Sequence, residues 1–283
     1  MKARAGLTRS IWGNLISGFF LIAMGLFIAF PTYYNIINAF KPVSELFLFP
    51  PRFVVYHPTL DNFVGIVRVY SNSLVPIERY IFNTVFISIT QTLLYMLFAS
   101  MAAYPLAKKQ FPAKQIIYLG IVFAIMFNGD VTNLPRYIML AKMGLLDTYW
   151  ALILPGIGGT FGVFLMMQFM STIPDTILEA ARIDGAGEKY IFFKIVLPAV
   201  KPAVMTLFIL TFVSAWNTTA GNLVYSEELK MLPTAISQIN AGGIMRAGIS
   251  AAASVIMMIP PIISFLVSQS SVMETMAHSG LKD

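Results

Sequence analysis

Long apolar runs separated by short polar segments organise this chain. A helix that crosses a membrane needs about 20 mostly apolar residues, and six stretches approach that pattern: 11–40, 80–104, 115–128, 149–170, 199–216 and 249–267. The first carries no charge before Lys41. The third is short and must extend either back through Lys114 or forward past Asn128 to complete a crossing. The pattern therefore predicts an all-α integral membrane protein, one domain over residues 1–283, with six spans and both termini on the same side. Between the third and fourth spans, residues 134–146 mix apolar positions with Arg136 and Lys142, as an amphipathic surface helix does. Residues 218–248 are too polar to cross a bilayer.

Charge orients the expected topology. Of the 19 Lys and Arg, eleven fall to the side of the termini: Lys2, Arg4, Arg9, Lys108, Lys109, Lys114, Arg182, Lys189, Lys194, Lys201 and Lys282. Eight fall to the other side, over longer loops: Lys41, Arg52, Arg68, Arg79, Arg136, Lys142, Lys230 and Arg246. Cytoplasmic loops are the richer in basic residues, so both termini are expected in the cytoplasm of a cell whose inner membrane the chain crosses several times. Lys2, Arg4 and Arg9 before an apolar run also suit a signal peptide. The run is too long for one, however, and no small-x-small site ends it, which favours an uncleaved first span.

Composition fits lipid as solvent. The 283 residues are 57% hydrophobic and 11% charged, against about 25% charged in a soluble domain, and the mean hydropathy is +0.75. No Cys is present, which excludes disulfides and thiol chemistry. The net charge of +6 comes without a basic cluster interleaved with aromatics, so nucleic acid is not an expected partner.

Polar residues inside the spans are the first candidate chemistry. Thr84, Ser88, Gln91 and Tyr95 recur at three and four residues and share one helical face. That face suits either interhelical hydrogen bonding or a translocation path. Pro155, Gly156, Gly158, Gly159 and Gly162 permit a kink and close helix contact, as packing or as a hinge, and Pro260 and Pro261 read similarly. No catalytic constellation forms in the sequence. The two histidines, His57 and His278, lack the neighbours that a hydrolytic triad requires. The phosphate-cradling G-x-x-x-x-G-K-[ST] pattern is absent, so this chain is not expected to be an enzyme. No acidic residue or Lys lies deep in a span, where ion-coupled carriers keep such groups. The energy for transport is then expected from another polypeptide.

The most informative segment is 172–198, between the fourth and fifth spans. Thr172 and Asp175 fit the [ST]-x-x-[DE] helix start with Pro174 in the first turn, and Gly185 and Gly187 stop the helix. A second helical segment is expected from about Tyr190 to Leu197, with Pro198 and Pro202 punctuating entry to the next span. Such a helix pair could lie on the membrane surface. But Ala180 and Ala181 anchor weakly in lipid, and Glu179 and Asp184 repel anionic headgroups, so a surface for docking a partner protein is the more economical reading.

Glu179-Ala180-Ala181, Asp184-Gly185-Ala186 and Phe192-x-x-Ile195-x-Leu197-Pro198 together resemble the EAA loop of ABC-importer permeases. Met143-Gly-Leu-Leu-Asp-Thr-Tyr-Trp-Ala-Leu-Ile-Leu-Pro155, Trp216-Asn217 and Glu228-Leu-Lys-Met-Leu-Pro233 resemble the carbohydrate-importer branch of the maltose-transporter type, and the tail from Glu274 resembles oligosaccharide importers. After Trp216-Asn217 the chain departs from that branch with Thr218-Thr219-Ala220-Gly221. The resemblance implies a type I ABC importer permease fold, with a six-span core and a cytoplasmic coupling helix. Glu179, Ala180, Ala181, Asp184, Gly185 and Ala186 would be the ATPase-coupling residues, and Trp216 and Asn217 would join Thr84, Ser88, Gln91 and Tyr95 as translocation-path candidates. It implies a second homologous permease, two ATPase subunits that hold the ATP and Mg, and an extracytoplasmic binding protein delivering a sugar or oligosaccharide. No cofactor or metal is expected in this chain itself. An ABC permease for an amino acid or a phosphonate is the alternative.

Overall fold

A computed structural model describes residues 11–71, 74–127 and 129–280. Lys2, Arg4, Arg9, Asn128 and Lys282 lie outside the described residues, as do the side chains of His278 and the rest of the tail. In order, the helices are α1 (Ile11–Phe40), α2 (Val43–Leu46), α3 (Asp61–Ser71), α4 (Ile77–Lys108), α5 (Lys114–Ile125), α6 (Gly129–Lys142), α7 (Tyr149–Ile157) and α8 (Thr160–Ser171). There follow α9 (Asp175–Ile183), α10 (Glu188–Tyr190), a π-helical segment (Ile191–Val196), α11 (Leu197–Ala199), α12 (Lys201–Trp216), α13 (Leu232–Ala241) and α14 (Ala247–Gly280).

Helices dominate because lipid offers no hydrogen-bond partner, so each backbone polar group must be satisfied within the chain. By length and apolarity, Gly13–Phe40, Ile77–Lys108, Tyr149–Ser171 and Ile244–Ser270 can each cross a membrane. Glu188–Ala199 and Lys201–Trp216 make a fifth crossing if counted as one span broken by a 79° bend. The expected third span corresponds to α5, whose 12 residues cover about 18 Å. By this measure alone, the expected six are not reached.

Two compact units can be distinguished, one comprising the chain up to Val69 with Ile239–Ile256, the other Tyr70–Gln238 with the residues from Met257 onward. In the first, α1 exposes Phe19, Leu21 and Phe27 around its circumference, as a lipid-facing helix does. Lys41, which ends its uncharged run, is fully buried. Its ammonium donates to the Asn38 side chain at 2.9 Å and to the Arg52 carbonyl at 2.6 Å, and it lies over the Tyr34 ring. Asn62 bonds the carbonyls of Ala39 and Lys41, and the Glu45 carboxylate accepts the amides of Tyr56 and His57. These contacts stitch the loop after α1 onto the start of α3.

The second unit is built on α4. Its core joins Tyr95, Ala99, Ala103 and Leu106 of α4 to Met166, Met167 and Met170 of α8 and to Leu207 of α12. The helices approach this closely because glycines remove side chains at the crossing. A Cβ on Gly162 would stand 2.4 Å from the Tyr95 hydroxyl, and one on Gly159 2.6 Å from it. In place of a side chain, the Gly162 amide donates to that hydroxyl at 2.6 Å. Between α7 and α8, Gly158 and Gly159 interrupt the helix, so the glycine-rich stretch is both a break and a packing surface. Other elements differ from expectation at their ends: α6 begins at Gly129 rather than 134, and α14 runs through Pro260 and Pro261 to Gly280. The polar segment 218–248 contains α13, which its composition did not announce.

Gly162→Ala is expected to destabilise the protein by about 1–3 kcal/mol, because the added carbon overpacks a filled site. Gly158→Ala should be nearly neutral, since nothing lies within 4 Å of its Cβ and its φ is negative. Thermal midpoints of the two variants in detergent check this, and equal effects would contradict it.

Candidate functional site

The turn after α9 is the first site. Helix α9 buries only Leu178, which joins Ile191, Phe192 and Val196 in the core shared with α4 and α8. The remaining surface of α9 turns outward. Glu179, Ala180, Asp184 and Gly185 are exposed, while Ala181 and Ala186 are half-buried and pack against the core. The helix stop is a Schellman motif. The Gly185 amide bonds the Arg182 carbonyl at 3.0 Å, and the Ala186 amide bonds the Ala181 carbonyl at 2.9 Å, with Gly185 in the left-handed region at φ +83°. The small Ala181 and Ala186 supply the apolar contact that accompanies this motif. The glycine stop is thus as the sequence predicts, but the capping box is not formed. Pro174 occupies the N-cap without a side-chain bond, and the Thr172 hydroxyl donates to the Phe169 carbonyl at 2.8 Å. The second helical segment begins at Glu188, two residues before its expected start.

Two groups that the sequence reading passed over brace this turn. Lys108, at the end of α4, has a buried side chain. Its ammonium donates to the carbonyls of Ser171 and Ile173 and, at 2.8 Å, to the Asp175 carboxylate. It thereby caps the end of α8 and holds the start of α9 with one charge. Lys108 beside Asp175 also keeps that carboxyl below the usual aspartate range. Glu188 is the second brace. It accepts from Lys109 and from the Tyr104 hydroxyl of α4, and Arg182 of α9 stands 3.4 Å away. Side chains from the end of α4 and from α9 converge on it, which ties the two together. Ile183, 87% exposed beside the turn, and half-exposed Ile177 give the outer surface an apolar component. Among the described residues, none covers Ile183. The signal for both was in the sequence, as two isoleucines off the Leu178 face.

The second site is a cavity of about 1010 Å³ in the same unit, lined in part by Gln91, Arg136, Tyr137, Gly156, Thr218 and Asn222. Of the four residues on the predicted α4 face, Gln91 opens onto it. Thr84 donates to the Tyr80 carbonyl and accepts the Leu232 amide at 2.7 Å, and Tyr95 holds Gly162. Ser88 is fully buried and its hydroxyl has no hydrogen-bond partner among the described residues, as is true of Thr92 one turn on. The Trp216 indole is buried and donates to the Met257 carbonyl at 3.0 Å. Asn217 is exposed and bonds the Val213 carbonyl. Neither is among the cavity-lining residues. Among the described residues, no group of three or more His, Asp or Glu is placed to hold a metal ion.

Segment 218–232, which contributes to the cavity, is tied down from two sides. Asn83 donates to the carbonyls of Glu228 and Lys230 at 2.8 and 2.9 Å. Asp147, between α6 and α7, accepts the amides of Tyr225 and Ser226 and the Ser226 hydroxyl. The Ser226 hydroxyl and amide, with the Tyr225 amide, hold the Asp147 carboxyl below its usual range. Asp147 lies inside the Met143–Pro155 motif, and holding this loop gives the motif a structural reason.

The sequence signature of the binding-protein-dependent transport system inner membrane component covers residues 8–272. The chain belongs to this family. It is a permease, a membrane component of a transport system that works with a binding protein. Among its relatives, the arabinooligosaccharides transport system permease protein AraQ of Halalkalibacterium halodurans is 32% identical over 95% of both chains. The polygalacturonan/rhamnogalacturonan transport system permease protein YtcP of Bacillus subtilis is 30% identical over 79% of this chain and 75% of its own length. A solved bacterial ABC transporter involved in the import of the acidic polysaccharide alginate superposes with a TM-score of 0.80 at 22% identity, over 94% of this chain and 99% of the other. That match shows an all-helical type I ABC importer permease fold.

A pH dependence follows for the loop clamp. A depressed carboxyl contributes its stabilisation fully above its unclamped value and loses it as pH falls through the lowered one. Hydrogen-exchange protection of the Tyr225 and Ser226 amides should therefore hold from neutral pH down to about pH 4 and fall below it. Asp147→Ala should remove it at every pH. Undiminished protection in that variant would contradict the clamp.

Proposed function

We propose that the permease carries a saccharide across the cytoplasmic membrane, paired with a second homologous permease and driven by two separate ATPase subunits. Glu179, Ala180, Ala181, Asp184, Gly185 and Ala186 form its docking turn. An extracytoplasmic binding protein delivers the substrate at the opposite side, where segment 218–232 lies. Both termini are cytoplasmic. The observation that carries this reading is the exposed Schellman turn after α9, braced by Lys108 and Glu188 to the end of α4. A partner that pushes on such a turn moves α4 and α8 rather than deforming a loop. Supporting the substrate class, AraQ and YtcP are named for oligosaccharide and polysaccharide transport. The open cavity beside Gln91 supplies amide and hydroxyl groups suited to sugar hydroxyls, and the second permease is expected to complete the path.

Gly185 separates docking from folding. Its added Cβ meets nothing within 4 Å in this chain, so a substitution there costs backbone strain of about 1 kcal/mol, and any larger effect must come from a partner. Gly185→Ala should leave most saccharide uptake, whereas Gly185→Leu should abolish it at normal subunit abundance. Wild-type uptake by Gly185→Leu with the ATPase still bound would refute the docking role. Sidedness is tested in the naturally Cys-free chain: a membrane-impermeant thiol reagent on intact cells should label Glu228→Cys and spare Glu179→Cys. The reverse pattern would invert the topology.

A further inference from the structure

Among the described residues that line the cavity beside Gln91, one side chain is charged, and it is a cation. Arg136 lies on α6 with Asn133 and Tyr137, at positions i, i+3 and i+4, so the three share a face, and all three line the cavity. No Asp or Glu is among the described lining residues. Among the described residues Arg136 forms no ion pair, and the hydrogen bond it makes is a long one, 3.4 Å to the Thr132 hydroxyl. Arg136 is half-buried, its guanidinium carries five donors in a planar fork that matches a carboxylate, and the described residues use little of that capacity. On α4, Gln91 is set by the missing side chain of Gly156. A Cβ there would stand 2.0 Å from the Gln91 amide nitrogen, so the amide lies over Gly156 and lines the cavity. The remaining polar lining among the described residues is neutral: the amides of Asn133 and Asn222 and the hydroxyls of Tyr137, Ser214, Thr218 and Thr219. The volume of about 1010 Å³ is at the upper end of the roughly 300–1,000 Å³ common for ligand sites, which accommodates more than one sugar ring.

We infer that this cavity is a passage site for an acidic saccharide, a chain of sugars bearing carboxylates, with Arg136 as the specificity-determining residue. The inference rests on the saccharide-transport reading above. The guanidinium pairs with the uronate carboxylate in the fork geometry, Tyr137 offers its ring and hydroxyl beside it, and the neutral amides take the ring hydroxyls. With no acidic residue among the described lining residues, none of these competes for Arg136 or repels the passing anion. A neutral sugar would offer the guanidinium only hydroxyl acceptors in place of a carboxylate, a weaker pairing for a partly desolvated cation, which disfavours its passage.

The test uses the complete importer, this chain with its companion permease, ATPases and binding protein, in proteoliposomes. The probes are a galacturonate trisaccharide and its carboxyl-reduced, neutral counterpart. The wild type should take up the acidic probe in preference. Arg136→Gln should lower acidic uptake by about tenfold or more, as loss of a charged hydrogen-bond pair implies, and leave neutral uptake unchanged or raised. Arg136→Lys should recover part of the acidic uptake, with all three forms assembling at equal abundance. Acidic uptake unaffected by Arg136→Gln, or preferred uptake of the neutral probe, would overturn the inference and leave saccharide transport standing. Uptake of neither probe would overturn both.

Discussion

Where α8 ends and α9 begins, the helix leaves its last carbonyls without intrahelical donors, and the chain must turn at a boundary between apolar core and polar surface. One buried ammonium answers this demand. Lys108 reaches from the last turn of α4 to the Ser171 and Ile173 carbonyls and to the Asp175 carboxylate. The surface ion pair with Asp175 alone would contribute little, because Asp175 is largely exposed. The larger contribution is the satisfaction of the part-buried Ile173 carbonyl, since an acceptor shielded from water and left unpaired costs about 1–3 kcal/mol. The position of α9, and with it the direction in which its exposed turn faces, depends on this contact.

The rest of the second unit can be understood as support for that junction. Glycines at 159 and 162 bring α8 against Tyr95, so α4 and α8 act as one packed pair. Glu188 ties the returning segment to the same end of α4, and Leu178 plugs α9 into the methionine-rich core. Farther along α4, Thr84 and Asn83 hold segment 218–232, and Gln91 opens onto the cavity. One helix thus carries contacts to the turn, to the cavity and to the loop. A rigid helix that joins these sites is a physical route by which a movement at the turn reaches the cavity.

Much of this fold was legible in the sequence because helix signals are local. The bounds of α1 match its apolar run, and Gly185 announced the end of α9. The α4 face appeared as a period of three and four residues. What periodicity could not reveal was the use of each position on that face: Tyr95 bonds Gly162, 67 residues away, whereas Gln91 lies over Gly156 and opens onto the cavity. The bracing residues were illegible for the same reason. Lys108, Glu188 and Asp147 look like ordinary loop charges until partners 63 to 84 residues away come into contact. Thr172 was misread because a hydroxyl at a helix junction can bond back into the preceding turn as readily as forward. The short α5 fell below the length of a crossing, since apolar composition does not fix where a helix stops.

The central claim, that the turn after α9 acts on α4 through Lys108, is tested most directly by the number of saccharide molecules imported per ATP hydrolysed in the assembled importer carrying Lys108→Met. Met keeps the bulk of the side chain and removes the charge and the donors. The account predicts continued ATP hydrolysis with uptake per ATP reduced several-fold, in complexes of normal stoichiometry. An unchanged ratio would contradict it.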